Sequence, residues 1–235
     1  MKLAAVVLTL VVAATGSSAC MVSLDGFSCN MTASRAATLD VGDATRVRVR
    51  ARAGSLRIEG HPDFGEVRAS GTACAGSEAN LERVTLTATR VGTELVIETE
   101  TAAGKGRLDL VVAVPDSLPL VVDDSSGSIE IYDVAAVELR DGSGHIEIDG
   151  VAGDVRVVDG SGGIDIRAVR GTVVIEDDGS GDIDITDVGR DVIVENDGSG
   201  DIDVAEVGGD FVVKRDGSGS VRHRSVRGRV DVPSD

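Results

Sequence analysis

Tryptophan is missing from this chain, tyrosine occurs once and phenylalanine three times. Any core must therefore be assembled from Val, Ile, Leu and Ala, and a sugar-stacking cleft has only Tyr132 to draw on. Lysine is also scarce, at three of 23 basic residues, which face 40 acidic ones. The resulting net charge of −17 repels nucleic acid and acidic polysaccharide alike, so neither is an expected partner. Long apolar runs are lacking too. The run from Leu3 to Ala14 falls short of the ~20 residues that a spanning helix needs. It lies inside "MKLAAVVLTLVVAATGSSA", which has one positive charge, an apolar stretch and a small-residue end, the anatomy of a secretory signal. Lys2 is its only charge, leaving 22 basic against 40 acidic residues, or −18, in the remainder.

Cysteine occurs at Cys20, Cys29 and Cys74 only. Ser17 and Ala19 suit an ordinary small-x-small cleavage. The same cut leaves Cys20 leading the mature chain, as a lipoprotein signal requires, although Ser17 stands where that signal usually has a branched residue. Cys20 is the expected lipid-attachment residue, and a lipid there would be the only link to a membrane. If Cys20 carries lipid, Cys29 and Cys74 remain to pair in an oxidising compartment; otherwise one thiol is left over. Histidine is equally sparse. His61, His145 and His223 are scattered, and no Cys or Ser stands in a recognisable catalytic setting, so no zinc site or activated nucleophile is expected.

What the chain does contain is 30 glycines and 42% apolar residues. Aligned on Ser-Gly, six copies of one pattern appear, with glycines at Gly127, Gly144, Gly162, Gly181, Gly200 and Gly219, spaced 17, 18, 19, 19 and 19 apart. Two and four residues after the glycine come apolar residues, as in Ile146 with Ile148 and Ile183 with Ile185, except that the last copy has Val221 and His223. Seven after it stands Val134, Val151, Val169, Val188, Val207 or Val226. A second short alternation precedes each turn, as in Val155 with Val157 and Val192 with Val194. Period two bounded by glycine is a strand signal, and nothing in the chain has helical period.

A hairpin meander has no need to return every strand at the same offset from the same turn. A stacked coil does, because each inward Ile must lie over its equivalent one strand spacing away, ~4.8 Å. The expected fold is thus all-β, a parallel β-helix or β-solenoid with ~19-residue coils and an irregular β N-terminal cap. Six such coils make a rod of roughly 29 Å. Asp124, Asp141, Asp159, Asp178, Asp197 and Asp216 each stand three places before a repeat glycine, where Asp can bond to the backbone N–H groups of the turn it starts. The expected organisation is a signal peptide (1–19), an extension (20–45), a cap with degenerate coils (46–116) and regular repeats (117–235). Within the third segment, Val47 to Gly60 reads as one degenerate coil, Leu81 to Glu100 as two strands about Val91-Gly92, and Arg107 to Pro115 as the strand that feeds the solenoid.

Charged side chains form the clearest constellations. Glu130, Glu147, Asp165, Asp184 and Asp203, then Arg222, should share one outward ladder, which invites either arginine partners or a cation. Calcium is the sharp form of the second choice. The likeness of D-G-S-G-D-I-D-I-T to the calcium-binding nonapeptide fails in register, since it puts Ile183 where the ligand Asp belongs. A solvated, solubilising face is the expectation, with no cofactor and no metal. Arg46, Arg48, Arg50 and Arg52 share a face of the first strand, with Glu94, Glu98 and Glu100 available opposite. Six cations from Lys214 to Arg229 either neutralise the ladder and block end-to-end stacking, or make a partner contact or weak self-association through the solenoid ends.

The iterated "DGSGDIDI" and "DGSGDIDV", the closing "RHRSVRGRVDVP", the mid-chain "SGTACAGSEANL" and the early "CNMTASRAATLD" resemble a family of bacterial secreted β-strand-repeat proteins of unknown function, similar to adhesin-head β-helix domains. The resemblance implies a parallel β-helix, a periplasmic, outer-membrane or surface-exposed envelope location, and no established catalytic residues. It supports pairing Cys29 with Cys74. This chain adds Cys20 and the residues up to Cys29 ahead of the first matching segment, which favours a lipid anchor. A non-enzymatic, adhesin-like envelope module with an acidic face, bound to a protein or glycan partner, is the expected function. The alternative is a calcium-dependent or polysaccharide-acting β-helix enzyme.

Overall fold

Each repeat carries two period-two pairs of aliphatic residues with a turn between them, so each closes one coil with two strands. A computed structural model describes residues 29–101 and 104–233. The regular coils comprise β8 (Leu120–Asp123) with β9 (Ile129–Val134), β10 (Val137–Asp141) with β11 (Ile146–Val151), and β12 (Val155–Asp159) with β13 (Ile164–Val169). They continue as β14 (Val173–Asp178) with β15 (Ile183–Val188), β16 (Val192–Val194) with β17 (Ile202–Val207), and β18 (Phe211–Val213) with β19 (Val221–Val226), ending on β20 (Val230–Asp231). Odd strands from β9 onward stack in one sheet, called A, and even strands in a second, B. The parallel β-solenoid expected from the repeats is the fold.

Register is strict. Ile129, Ile146, Ile164, Ile183, Ile202 and Val221 stand one above another in sheet A, as do the six valines from Val134 to Val226. The five isoleucines are at most 1% exposed. Each such side chain contributes about 1.5–3 kcal/mol by leaving water. Strict alternation would turn that valine column outward, since it stands three places after an inward residue. A left-handed residue just before it resets the phase in every coil: Asp133, Gly150, Ala168, Asp187, Glu206 and Ser225 all have positive φ, between 52° and 77°. The lengthening of the repeat has a local cause as well. Between β12 and β14 the register slips by one residue after Val157, so Glu176 is bulged out and Asp178 still lies over Asp159.

The N-terminal strands are β1 (Met31–Asp40), β2 (Arg46–Arg50), β3 (Leu56–His61), β4 (Glu66–Ala75), β5 (Thr85–Val91), β6 (Glu94–Glu100) and β7 (Gly106–Pro115). β2 and β3 form the expected degenerate coil, and β5 and β6 the expected hairpin. Chain order and spatial order differ here. The coil β2–β3 lies between β6–β7 on one side and β8–β9 on the other, all parallel. β7, read as the strand feeding the solenoid, therefore pairs with β3 and not with β9. The first coil has two free edges, and the chain covers one before returning to the other.

Beyond β7 the sheet turns antiparallel through β4 and β1. One helical turn, α1 (Glu78–Leu81), was invisible to a periodicity argument because it is four residues long; the Ser77 side chain caps it. Two arginines close this end. Arg35 donates to the carbonyls of Val84 (2.8 Å) and Leu81 (3.0 Å), and Arg90 to those of Asp40 (2.8 Å) and Val41 (2.7 Å). Cys29 and Cys74 form a disulfide with Cα atoms 5.5 Å apart, tying the start of β1 to β4. No helix among the described residues is long and apolar enough to cross a membrane. The signal segment and Cys20 lie outside the described residues.

Candidate functional site

The outer face of sheet A carries two columns of side chains at single-rung intervals. One runs Glu130, Glu147, Asp165, Asp184, Asp203, Arg222; its neighbour runs Tyr132, Asp149, Arg167, Thr186, Ala205, Arg224. Like charges on adjacent rungs repel, and most of the acids are answered by a cation. Arg57 reaches from β3 to Glu130 and Glu59 and lies 4.6 Å from the centre of the Tyr132 ring. Arg167 pairs with Glu147 and Asp149, His145 lies 3.3 Å from Asp165, and Arg222 bridges Asp201 (2.9 Å) and Asp203 (3.2 Å).

Asp184 is in no ion pair among the described residues. Partial burial pushes its carboxyl up from the ordinary range, Asp165, Asp203 and Asp182 add to that, and Arg224 opposes it. Around it lies a shallow recess of about 190 Å³ lined by Asp165, Arg167, Asp184, Thr186, Asp203 and Arg224. Three carboxylates flanked by two guanidinium groups can take a cationic group of a partner while aligning its neighbours. The arginine row of β2 is matched by acids of β6, whereas of the C-terminal cations only Lys214 and Arg222 are in ion pairs among the described residues. Arg46 and Arg48 meet Glu94, Arg50 meets Glu98 and Arg52 meets Glu100, because β2 and β6 are parallel and in register. Lys214 pairs with Glu195 at 2.8 Å.

The aspartates before the turns depart from expectation. Only Asp141 accepts a well-formed hydrogen bond from its own turn, from the Gly142 N–H at 2.7 Å. Asp124, Asp141, Asp159, Asp178 and Asp197 instead face inward, between 0% and 8% exposed. The signal was there: Leu120, Val122, Asp124 and Val137, Leu139, Asp141 continue one inward alternation into the acid. Turn N–H groups are satisfied by other aspartates, farther out. Asp182 accepts from Asp201 N and Asp201 from Ser220 N, while Asp154, Asp191 and Asp210 do the same for Thr172, Asp210 and Arg229, all between 2.7 and 2.9 Å. Each is an external clamp between successive coils.

Sequence reasoning also passed over the outer face of sheet B. Three consecutive apolar residues in β14, β16 and β18 imply that both faces are apolar, and Val174, Ile193 and Val212 stand half-buried in one outward column. His223 occupies the inward phase of β19 but is exposed, with its ring centre 6.1 Å from that of Phe211. No group of three or more His, Cys, Asp or Glu among the described residues is placed to hold a metal ion.

No family model matches the chain, and no curated protein matches it. Solved structures similar to it include a putative adhesin from Bacteroides fragilis, at 13% identity over 85% of this chain and 97% of that one, with a TM-score of 0.43. A putative cell adhesion protein from Clostridium sporogenes is 9% identical over 86% and 99%, with a TM-score of 0.37. A putative lipid binding protein from Parabacteroides distasonis is 14% identical over 88% and 97%, with a TM-score of 0.39.

Proposed function

We propose that this chain is a non-enzymatic, adhesin-like binding module of the cell envelope, lipid-tethered through Cys20, that presents the outer face of sheet A to a partner bearing cationic groups. The observation that carries the reading is the unpaired Asp184 between Asp165 and Asp203, in a face whose other acids in that column each have an arginine or a histidine beside them. A rod built from identical rungs holds such groups at fixed intervals without an induced change, which lowers the ordering cost of binding. Protein or glycan partners both fit that chemistry.

Binding of the full chain to isolated envelopes of the producing cells tests it. The triple variant Asp165→Asn, Asp184→Asn, Asp203→Asn should bind roughly tenfold more weakly, a loss of about 1.4 kcal/mol. Added salt should weaken the wild type and leave the variant little changed. Val174→Ser, on the opposite sheet, should bind as wild type. Unchanged binding by the triple variant, or an equal loss in Val174→Ser, contradicts the reading.

A further inference from the structure

Inside the rod, at the corner where sheet B meets the glycine turn, aspartates stack as strictly as the isoleucines do. Asp141 lies beside Asp159, Asp159 beside Asp178, Asp178 beside Asp197, and Asp197 beside Asp216. Asp124 extends the file by one rung, its N–H bonded to the Arg140 carbonyl. Both carboxyl oxygens of Asp124, Asp159, Asp178 and Asp197, and one of Asp141, are buried without a hydrogen-bond partner. Such a group costs free energy unless something answers it. The groups facing each aspartate are the aspartates above and below, the turn amides from Ser125 to Ser199, and Asp216 at the open end. Across the lumen, the inward residues of β9 to β17 are apolar, and among the described residues no lysine, arginine or histidine is a cause of the column's pKa shifts.

We propose that Asp124, Asp141, Asp159, Asp178 and Asp197 form a proton-binding column, in which hydrogen ions taken from solvent are shared between carboxyl oxygens on neighbouring rungs and hold the rod together. Rungs ~4.8 Å apart bring stacked carboxyl oxygens within reach of an O–H···O⁻ bond, which closes at 2.5–2.7 Å. A proton there converts repulsion between two anions into a charge-assisted hydrogen bond. Calcium fits poorly, since it takes six to eight oxygens and each gap offers two carboxyl groups.

The protonation behaviour agrees with this geometry. Burial, with neighbouring aspartates adding to it, pushes Asp124 and Asp178 up to about 7 and Asp159 to about 6; burial likewise raises Asp141 and Asp197. The unfolded chain titrates these groups near 3.8. Between about pH 4 and 7 the folded chain therefore binds more protons than the unfolded one, and stability falls as pH rises through that window. The stabilisation is complete below the unfolded value and gone above about pH 7.

Thermal melting of the full chain at pH 5 and pH 8, with infrared spectra at pH 6, tests the proposal. The wild type should melt roughly 5 °C or more higher at pH 5. Asp178→Asn, which supplies a neutral donor, should raise the pH 8 melting point and narrow the gap. Asp187→Asn, at an exposed left-handed position, should keep the wild-type gap. The folded wild type at pH 6 should show the carbonyl stretch of protonated carboxylic acid, lost on unfolding. That band decides the matter even if Asp178→Asn fails to fold. Its absence, a melting point that rises from pH 5 to pH 8, or stabilisation by calcium at pH 8 without the band would each overturn the proposal.

Discussion

Replacing Gly181 with alanine should open the solenoid between β13 and β15, with a loss of at least about 4 kcal/mol, the range reserved for substitutions that a fold cannot absorb. Gly181 has φ +138°, and a Cβ built on it would stand 1.7 Å from the carbonyl oxygen of Gly162 in the preceding coil. That oxygen is backbone, held by its own rung, so no side chain can swing aside. Retreat of the whole coil would break the bond from the Gly162 N–H to the Ser180 carbonyl and lift the isoleucine column. Urea unfolding should show a lowered midpoint, and amide exchange should rise first around Gly162 to Ile185. A midpoint within error of the wild type would mean that the coils are not this close.

A second substitution pair should give the widest contrast in the molecule for the smallest shift along the chain. Ile183→Asp should cost about 5 kcal/mol or more and leave little folded protein, because Ile183 is fully buried and a carboxylate there has no donor to meet it. Asp184→Ile, one residue on, should change stability by no more than about 0.5 kcal/mol, since that side chain is exposed and the repulsion it gives up with Asp165 and Asp203 offsets the attraction it loses to Arg224. Circular dichroism melts of the two variants read the difference directly. Equal damage from both would remove the assignment of inner and outer faces.

The regular coils were legible in the sequence because their fold is a nearest-neighbour problem. Ile146, Ile164, Ile183 and Ile202 recur at one offset from one turn, and a stacked coil is the arrangement that uses this recurrence. The ion pairs of Arg46 to Arg52 with Glu94 to Glu100 were legible for the same reason, as two complementary period-two faces. Spatial order at the N-terminal end was not. Whether β7 adds to β3 or to β9 depends on which edge is free after the first coil closes, a long-range property that no local pattern encodes. The left-handed residues before the valine column were missed because Asp, Ala, Glu and Ser fill that place as well as Gly150. The interior aspartates were misread for a chemical reason. Asp before Gly is read as a turn former, a prior that outweighed the inward phase set by Leu120 with Val122 and by Val137 with Leu139. On the outer face, the ladder from Glu130 to Arg222 was visible as a row of residues, but the pairing that leaves Asp184 alone depends on Arg57, His145 and Arg167 reaching it from other positions.

In the solenoid every repeat advances the chain by one strand spacing. Spin labels test it most directly, in a Cys20→Ser background with Glu130→Cys held fixed and the second label moved through Asp184→Cys, Asp203→Cys and Arg222→Cys. Those positions lie three, four and five rungs away in register. Pulsed electron resonance should return distances that grow by about 5 Å at each step, the spacing of adjacent parallel strands. Steps of about 10 Å, the advance of a hairpin meander that lays two strands side by side per repeat, would contradict the solenoid.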